Sequence, residues 1–312
     1  MRRLGIVVPT HNRAASLRRT LASVVEQSYA GTRPEIVVVN NNSTDATAAV
    51  CAEFAPAVRV LDEPRQGLSY ARNTGIASFE HFDQDDVIAF IDDDIEARPD
   101  WAAALAAAFT DDASIECVGG RVLASDPTAL PAWLTPEHWG PLALQDHGSS
   151  RRTFSESSPV GLIGANFAFR KRVFKRIGGF SPDVQRIRDG VGSTEDHEFL
   201  RRLYATGATA LYVPDAVVTT EVPAERMTRE YHRRWHRGHG RFHALMRLPE
   251  MERARARLLG IPMHLFRRAM QDVVSWVRSL LKGDAARAFA AETRLWFFSG
   301  FVKERCVCLG RR

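Results

Sequence analysis

FIDDDIEARPDW, residues 90–101, sets three carboxylates directly after the apolar run Val87–Ile91. Such a run reads as a buried strand. Asp92, Asp93 and Asp94 therefore stand at a strand's carboxyl end, where open α/β sheets bind ligands. Clustered carboxylates repel one another and stay ionised together only beside a cation. Their hard oxygens favour Mg²⁺ or Mn²⁺, with coordination completed by phosphate oxygens. The same residues also suit a solvated acidic turn in which one Asp caps the next helix, expected over 99–109.

Working outward, short apolar runs alternate with helical patterns. Leu4–Val8 reads as a strand, and 14–26 as a helix with Leu17, Leu21, Val24 and Val25 on one face. Ile36–Val39 is a second strand, 43–54 a helix capped by Ser43 or Asp45, Val58–Leu61 a third strand and 68–78 a further helix. Strands separated by helices predict βαβ units and a mostly parallel central sheet. Residues 125–158, with Pro127, Pro131, Pro136 and Pro141, read as a long irregular excursion. Beyond it come a strand over 160–170, a short helix over 171–177 ended by Gly178-Gly179, a helix over 194–206, and a strand over 210–213 closed by Pro214.

Three other segments bear on chemistry. IVVPTHNRAASL (6–17) places a βα turn and a helix N-terminus near the crevice, where backbone N–H groups favour anions. QGLSYARNTGI (66–76) puts Arg72, a planar phosphate donor, near a helix start. GSTEDHEFLRRL (192–203) sets Glu195 and Asp196 in a first helical turn, where the helix dipole favours negative charge and a carboxylate can serve as general base. A capping box from Ser193 or Thr194 accounts for the same acids structurally. Neither G-x-G-x-x-G nor a Walker A pattern is present, which argues against dehydrogenase and P-loop chemistry.

In this order, PTHN (9–12), NNNSTD (40–45), GLSYARN (67–73), DDD (92–94), a glycine-containing strand and TED (194–196) resemble family 2 glycosyltransferases of the Rossmann-like GT-A fold, over residues 1 to about 240. The resemblance implies a metal-dependent inverting transfer of a sugar from a nucleotide-diphosphate donor to a hydroxyl of a glycan, lipid-linked or small-molecule acceptor. By the same resemblance, Pro9, Thr10, Asn12, Asn40, Arg72 and Asp92 contact the nucleotide. Asp94 and Asp92 hold Mg²⁺ or Mn²⁺, and Asp196 is the catalytic base with Glu195 beside it. Gly164, Ala165 and Asn166 line the donor-sugar or acceptor pocket. Two positions depart from the family pattern. Asn40 replaces the usual aspartate, so a neutral amide faces the base. Glu221 stands in the region where relatives place a metal-binding histidine, and is expected either as the further ligand to the cation or as a surface acid. Tyr231 in YHRRWHRG (231–238) replaces the glutamine of the processive Q-x-x-R-W segment, so processivity is not inferred.

Charge is unevenly placed. Residues 225–312 carry 20 Lys and Arg against 8 Asp and Glu, whereas the rest carries 22 against 29. We expect a catalytic domain over 1–224 and a basic, amphipathic helical extension over 225–312. The extension suits an anionic membrane surface, with Trp276, Trp296 and Phe297 as anchors; a helical cap on the core or a homo-oligomer contact explains its apolar stripes equally. His232, His236, His239 and His243 share one helical face, a spacing compatible with metal or with a solvated stripe. Cys51, Cys117, Cys306 and Cys308 imply no disulfide framework, and no apolar run is long enough to span a bilayer. These features suggest a cytoplasmic protein, peripheral at the inner face of the membrane. Two other readings are a nucleotidyltransferase, which lacks its glycine-rich phosphate loop after the first strand, and a nucleic-acid binder using the basic part, which leaves both acidic segments without a role. No nucleic acid is therefore expected as a partner.

Overall fold

The computed structural model describes residues 3–158, 161–184, 195–246, 253, 256–258 and 260–309. They form two compact units, one from the described residues of 1–127, 143–185 and 195–221, the other from those of 128–142 and 222–312.

The first unit contains strands β1 (Leu4–Thr10), β2 (Glu35–Asn40), β3 (Val58–Asp62), β4 (Val87–Ile91), β5 (Ile95–Ala97), β6 (Cys117–Ala124), β7 (Arg152–Phe154), β8 (Asn166–Arg170) and β9 (Ala210–Thr220). Its helices are α1 (Ala14–Val25), α2 (Thr47–Glu53), α3 (Leu68–Ala77), α4 (Trp101–Asp111), α5 (Lys171–Ile177) and α6 (Glu195–Tyr204). The strands order as β3-β2-β1-β4-β8-β6-β9-β5, with β7 beside β9. β1 to β4 pair in parallel. β1, β2 and β4 read as continuous apolar runs because they are covered on both faces. Ile6, Val8, Ile36 and Val38 pack with Leu17 and Leu21 of α1 and with Trp101 and Leu105 of α4. Val7, Val37 and Val39 face the other layer, with Ala71 of α3 and a group of phenylalanines that includes Phe90, Phe167, Phe180 and Phe199. Each fully buried ring of this kind stabilises by about 1.5–3 kcal/mol.

One consequence of the register positions the site. β8 runs antiparallel to β4, with Asn166 opposite Ile91. β6 runs antiparallel to β8, and β9 parallel to β6. The carboxyl ends of β1, β2, β3, β4, β6 and β9 and the amino end of β8 therefore share one edge of the sheet.

The structure corrects several sequence expectations. The strand expected over 160–170 is β8, which starts at Asn166; Val160 lies outside the described residues, as do Gly192, Ser193 and Thr194. The strand expected to stop at Pro214 continues to Thr220. Opposite it, the register with β6 shifts between Gly120 and Arg121, and a bulge is where a strand tolerates a residue without an N–H. Gly120 permits this, since a Cβ there would overlap the Ala216 carbonyl. β5, β6 and β7 were not anticipated. The 125–158 excursion contains three short 3₁₀ turns and β7, and it is tied to β6 by the bridge Val122–Gln145. Neither Ser43 nor Asp45 occupies the N-cap of α2, which is Ala46. Asp45 instead accepts from the Thr47 N–H at 3.0 Å and from the Ala14 N–H at the start of α1 at 2.9 Å.

The second unit contains α7 (Arg229–Met246), a small hairpin of β10 (Arg257–Leu258) and β11 (Ile261–Pro262), α8 (Met263–Leu281) and α9 (Ala285–Leu309). The helix expected over 224–246 begins at Arg229, after a 3₁₀ turn at Ala224–Met227. α7 and α9 cross closely because Gly240 and Gly300 face backbone across the contact, where any Cβ would overlap a carbonyl of the other helix. The four histidines of α7 form neither a metal cluster nor a solvated stripe. His232 is buried against Trp133 and Phe289, His239 stacks on Trp235 with centroids 4.5 Å apart, and His243 packs edge-on to Phe297. Imidazole rings at this spacing supply flat apolar surface as readily as ligands. Among the described residues, no helix is long and apolar enough to cross a membrane.

Candidate active site

The shared edge brings the sequence-predicted residues together in two layers. The outer layer is a set of cross-braced βα turns. Asn12 adopts a positive φ of 52°, a conformation that Asn tolerates better than most residues. Its Oδ1 accepts from the Thr44 N–H at 2.7 Å, and its own N–H donates to Ser43 Oγ at 3.0 Å. Asn40 ends β2; its Oδ1 accepts from the Ser43 N–H and its Nδ2 donates to Asp62 Oδ1 at 2.9 Å. Asp62, at the end of β3, thus brings a carboxylate beside the neutral Asn40. The sequence reading passed over it because a strand-terminal acid has no signature of its own. Asn41, buried, also went unnoticed within the NNN run. It donates to the Glu63 and Arg65 carbonyls and accepts from the Gly67 N–H, shaping the loop that leads into α3. That loop is fixed further by Glu63, whose carboxyl is pulled down to about 2 by the Arg65 guanidinium and, secondarily, the Thr74 hydroxyl.

The inner layer is the acidic segment. Thr10 is buried, and its hydroxyl donates to Asp93 Oδ2 at 2.8 Å. Arg13, in the turn after β1, lies 3.2 Å from Asp93 Oδ1 and also pairs with Asp94. Burial pushes the Asp93 carboxyl up to about 7, with Arg13 pulling it back and Asp94 reinforcing the rise. Crowding by protein atoms raises Asp92 above the ordinary carboxylate range, against the pull of Arg72, although 32% of its side-chain surface still meets solvent. The sequence reading does not single out Arg13, and it takes Asp93 only as one of three clustered carboxylates. The available signal was positional: a cation in the β1 turn stands beside whatever ends the neighbouring strand β4.

Arg72 is buried. Expected near the base or diphosphate, it is instead a buried link between two acidic segments. Its Nη2 lies 3.2 Å from Asp92 Oδ1 and its Nη1 3.5 Å from Glu195 Oε1. Its guanidinium sits over Phe167 and Phe180, 5.5 and 5.3 Å from their centroids. A cation in this apolar setting is held only with opposite charges beside it, which is why it faces inward to two acids rather than outward to solvent. Gly164 borders the same group, for a Cβ there would come within 2.6 Å of Arg72 Nη2. The Gly164 N–H donates to Asp196 Oδ2 at 3.2 Å, and the His197 N–H donates to Asp196 Oδ1 at 2.7 Å. Two backbone donors thus orient the Asp196 carboxylate, while Glu195 beside it is buried.

Besides Thr10 and Arg72, three further expected contact residues are buried. Asn166 is buried: its Oδ1 accepts from Trp101 Nε1, and its Nδ2 donates to the Arg121 and Ala216 carbonyls at 2.8 Å each. It is a core brace, because a buried amide needs all its partners. Ala165 belongs to the apolar core. Pro9 is buried within β1, opposite Val39. Only Gly164 of the expected pocket strand reaches the acidic group. Glu221 follows Thr220, whose hydroxyl donates to the Asp94 carbonyl at 3.1 Å, but its carboxylate is exposed and paired with Arg19 at 3.2 Å. Among the described residues, no three His, Cys, Asp or Glu side chains are grouped as a ready metal cluster. The donor chemistry nevertheless fits a hard divalent cation. Asp94 and Asp92 present oxygen donors at the sheet edge, 27% and 32% exposed, and Asp94 already pairs with a cation, Arg13.

The chain resembles known proteins in sequence and in fold. The profile described as "Glycosyl transferase family 2" matches residues 5–178. The chain is 27% identical over 224 residues to the glucosyl-dolichyl phosphate glucuronosyltransferase of Haloferax volcanii, covering 69% of this chain and 68% of that protein. It is 26% identical over 250 residues to the probable glycosyltransferase YdaM of Bacillus subtilis, covering 76% of this chain but only 55% of that protein's length. Among solved structures, the mannosyltransferase PcManGT of Pyrobaculum calidifontis, in complex with GDP-Man and Mn²⁺, superposes with a TM-score of 0.61 at 20% identity, covering 97% of this chain and 86% of that one. TarS 1–349 of S. aureus gives 0.52 at 16% identity, covering 97% and 91%. These likenesses establish the GT-A fold.

Proposed function

The chain belongs to glycosyl transferase family 2 and is a glycosyltransferase, and we propose that its site carries out a metal-dependent, inverting transfer from a nucleotide-diphosphate sugar to an acceptor hydroxyl. The observation that carries this reading is the Arg72 link. It joins the acids after β4 to the acids opening α6 in one cluster, although they lie about a hundred positions apart in the chain. The nucleotidyltransferase and nucleic-acid readings fall away with family membership. We take residues 1–224 as the catalytic domain and 225–312 as an extension.

In this reading the braced turns at Asn12, Asn40 and Asn41 form the wall against which the nucleoside lies, with Asp62 available to the base or ribose. Asp94, with Asp92 beside it, would hold Mg²⁺ or Mn²⁺. The ion supplies Lewis-acid neutralisation of charge developing on the departing diphosphate, an effect of several kcal/mol. Arg13, displaced from Asp94, is placed to pair with phosphate instead. Asp196, oriented by the N–H groups of Gly164 and His197, takes the proton of the acceptor hydroxyl as its oxygen attacks the anomeric carbon. One such displacement inverts configuration. Arg72 neutralises Asp92 and Glu195 and so keeps their charges from repelling Asp196 and the donor. We take the acceptor to be a glycan, a lipid-linked sugar or a small molecule; the dolichyl phosphate in the name of the Haloferax volcanii relative supports the lipid-linked case.

The test is thermal denaturation with UDP, GDP or dTDP, each with and without Mn²⁺, followed by a hydrolysis screen of the matching sugar nucleotides. One diphosphate should stabilise by about 2.7 kcal/mol at a hundred times its Kd, more strongly with Mn²⁺ than without. Asp94→Ala should lose the Mn²⁺-dependent part. No stabilisation by any diphosphate, or an Mn²⁺ effect unchanged in Asp94→Ala, would contradict the proposal.

A further inference from the structure

α8 (Met263–Leu281) wears its apolar face outward. Its buried positions, Leu265 and Ser279, lie on one side. Met263, Met270, Val274, Val277, Leu280 and Leu281 are exposed, up to 83% at Leu281 and 65% at Met270. At 100° per residue, Met263, Met270, Val274, Val277 and Leu281 fall on the arc opposite the buried side, with Leu280 on the flank between the two. Along one margin of that arc stand Arg267, Arg278 and Lys282, and Arg287 of the next helix joins Arg278 and Lys282 at a groove of ≈ 430 Å³. Asp272 faces away from the stripe, paired with Arg294, and Asp284 is paired with Arg287.

A helix that buries its narrow face against its own unit and turns valines, methionines and leucines to solvent, with arginine and lysine along the margin, matches an interfacial anchor. We infer that α8 docks this protein onto an anionic lipid surface, its apolar stripe entering the acyl boundary and Arg267, Arg278, Lys282 and Arg287 meeting the headgroup phosphates. Charge favours lipid over a second copy docked antiparallel through the same stripe. An antiparallel two-fold pairing of α8 through the stripe sets the cationic margin of one helix against the same margin of the other, and like charges brought together oppose association. An anionic surface matches that margin. The inference concerns the second unit and does not depend on the sugar-transfer reading.

The experiment is flotation of the full chain with vesicles of phosphatidylcholine alone and of phosphatidylcholine mixed with phosphatidylglycerol, at low and high salt. The wild type should float with the mixed vesicles and lose most of that binding without phosphatidylglycerol. Val274→Glu/Val277→Glu, both solvent-exposed positions that the fold tolerates, should weaken partitioning by about tenfold or more. Arg267→Gln/Arg278→Gln should weaken binding to anionic vesicles by about fivefold per charge removed. Circular dichroism and sedimentation velocity of each variant complete the set. Flotation unaffected by the two glutamates, flotation of neither vesicle, or a wild-type dimer that the glutamates turn into a monomer would each overturn the inference, the last in favour of self-association.

Discussion

Arg72 and Gly164 show how a single side chain and a missing one define this cleft. The guanidinium is enclosed by Phe167 and Phe180 and faces two carboxylates; the glycine leaves room for it while its N–H orients Asp196. Gly164→Ala should therefore disturb the site through packing. The new methyl would meet Arg72 Nη2 at 2.6 Å and Phe167 Cε1 at 2.7 Å, both on crowded side chains. We expect a loss of about 1–3 kcal/mol in denaturant unfolding, as for other overpacked sites, accompanied by reduced transfer. Unchanged stability would mean that the arginine is free to move and does not fix the acids. Arg72 also marks where sequence reasoning stopped short. Its residue type pointed to phosphate, and nothing in GLSYARN says that two acids from distant segments will surround it. The same holds for Asn166, whose amide is legible as a candidate ligand contact but is consumed by Trp101 and two carbonyls that come from elsewhere in the chain.

At the scale of elements, α7 makes a pH-dependent prediction. Burial, reinforced by neighbouring imidazoles, depresses His232 to about 4 and His236 to about 3, and burial lowers His138 as well. A histidine depressed in the folded state binds its proton more readily when unfolded. Its contribution is thus complete above the unfolded value of about 6.5 and is lost as pH falls towards the folded value. For fully buried His232 this amounts to at most about 3 kcal/mol. Five of the six tryptophans lie in the second unit, so tryptophan fluorescence reports on it. Urea unfolding followed this way should lose stability between about pH 6.5 and 5, and His232→Gln should flatten that slope. A profile flat in the wild type would contradict the packing described for α7. Elements with strong periodicity were legible in the sequence: β1 to β4, α1, α3 and α5. β5 and β7 are three residues each, too short to show a period. β6 carries glycines at its centre, and β9 passes a proline that only its bulge accommodates. Those features depend on partner strands, which no local pattern reveals.

At the scale of the whole chain, the order of short motifs along the sequence carried more of the reading than any motif alone. That order was visible because a parallel sheet delivers successive βα turns to one edge, so residues far apart in sequence share a cleft by topology. What topology does not convey is which acids are paired within it, and there Arg13 and Arg72 had to be found in the structure. The central claim is that the acids after β4 and those opening α6 serve one reaction, the first group holding the donor and the second activating the acceptor. It is tested most directly by measuring donor affinity and turnover together in Asp196→Asn. The account predicts that the variant binds nucleotide sugar in the presence of Mn²⁺ as the wild type does, while turnover falls by about 10²–10⁴. Turnover near the wild-type rate, or loss of donor binding with the fold intact, would contradict it.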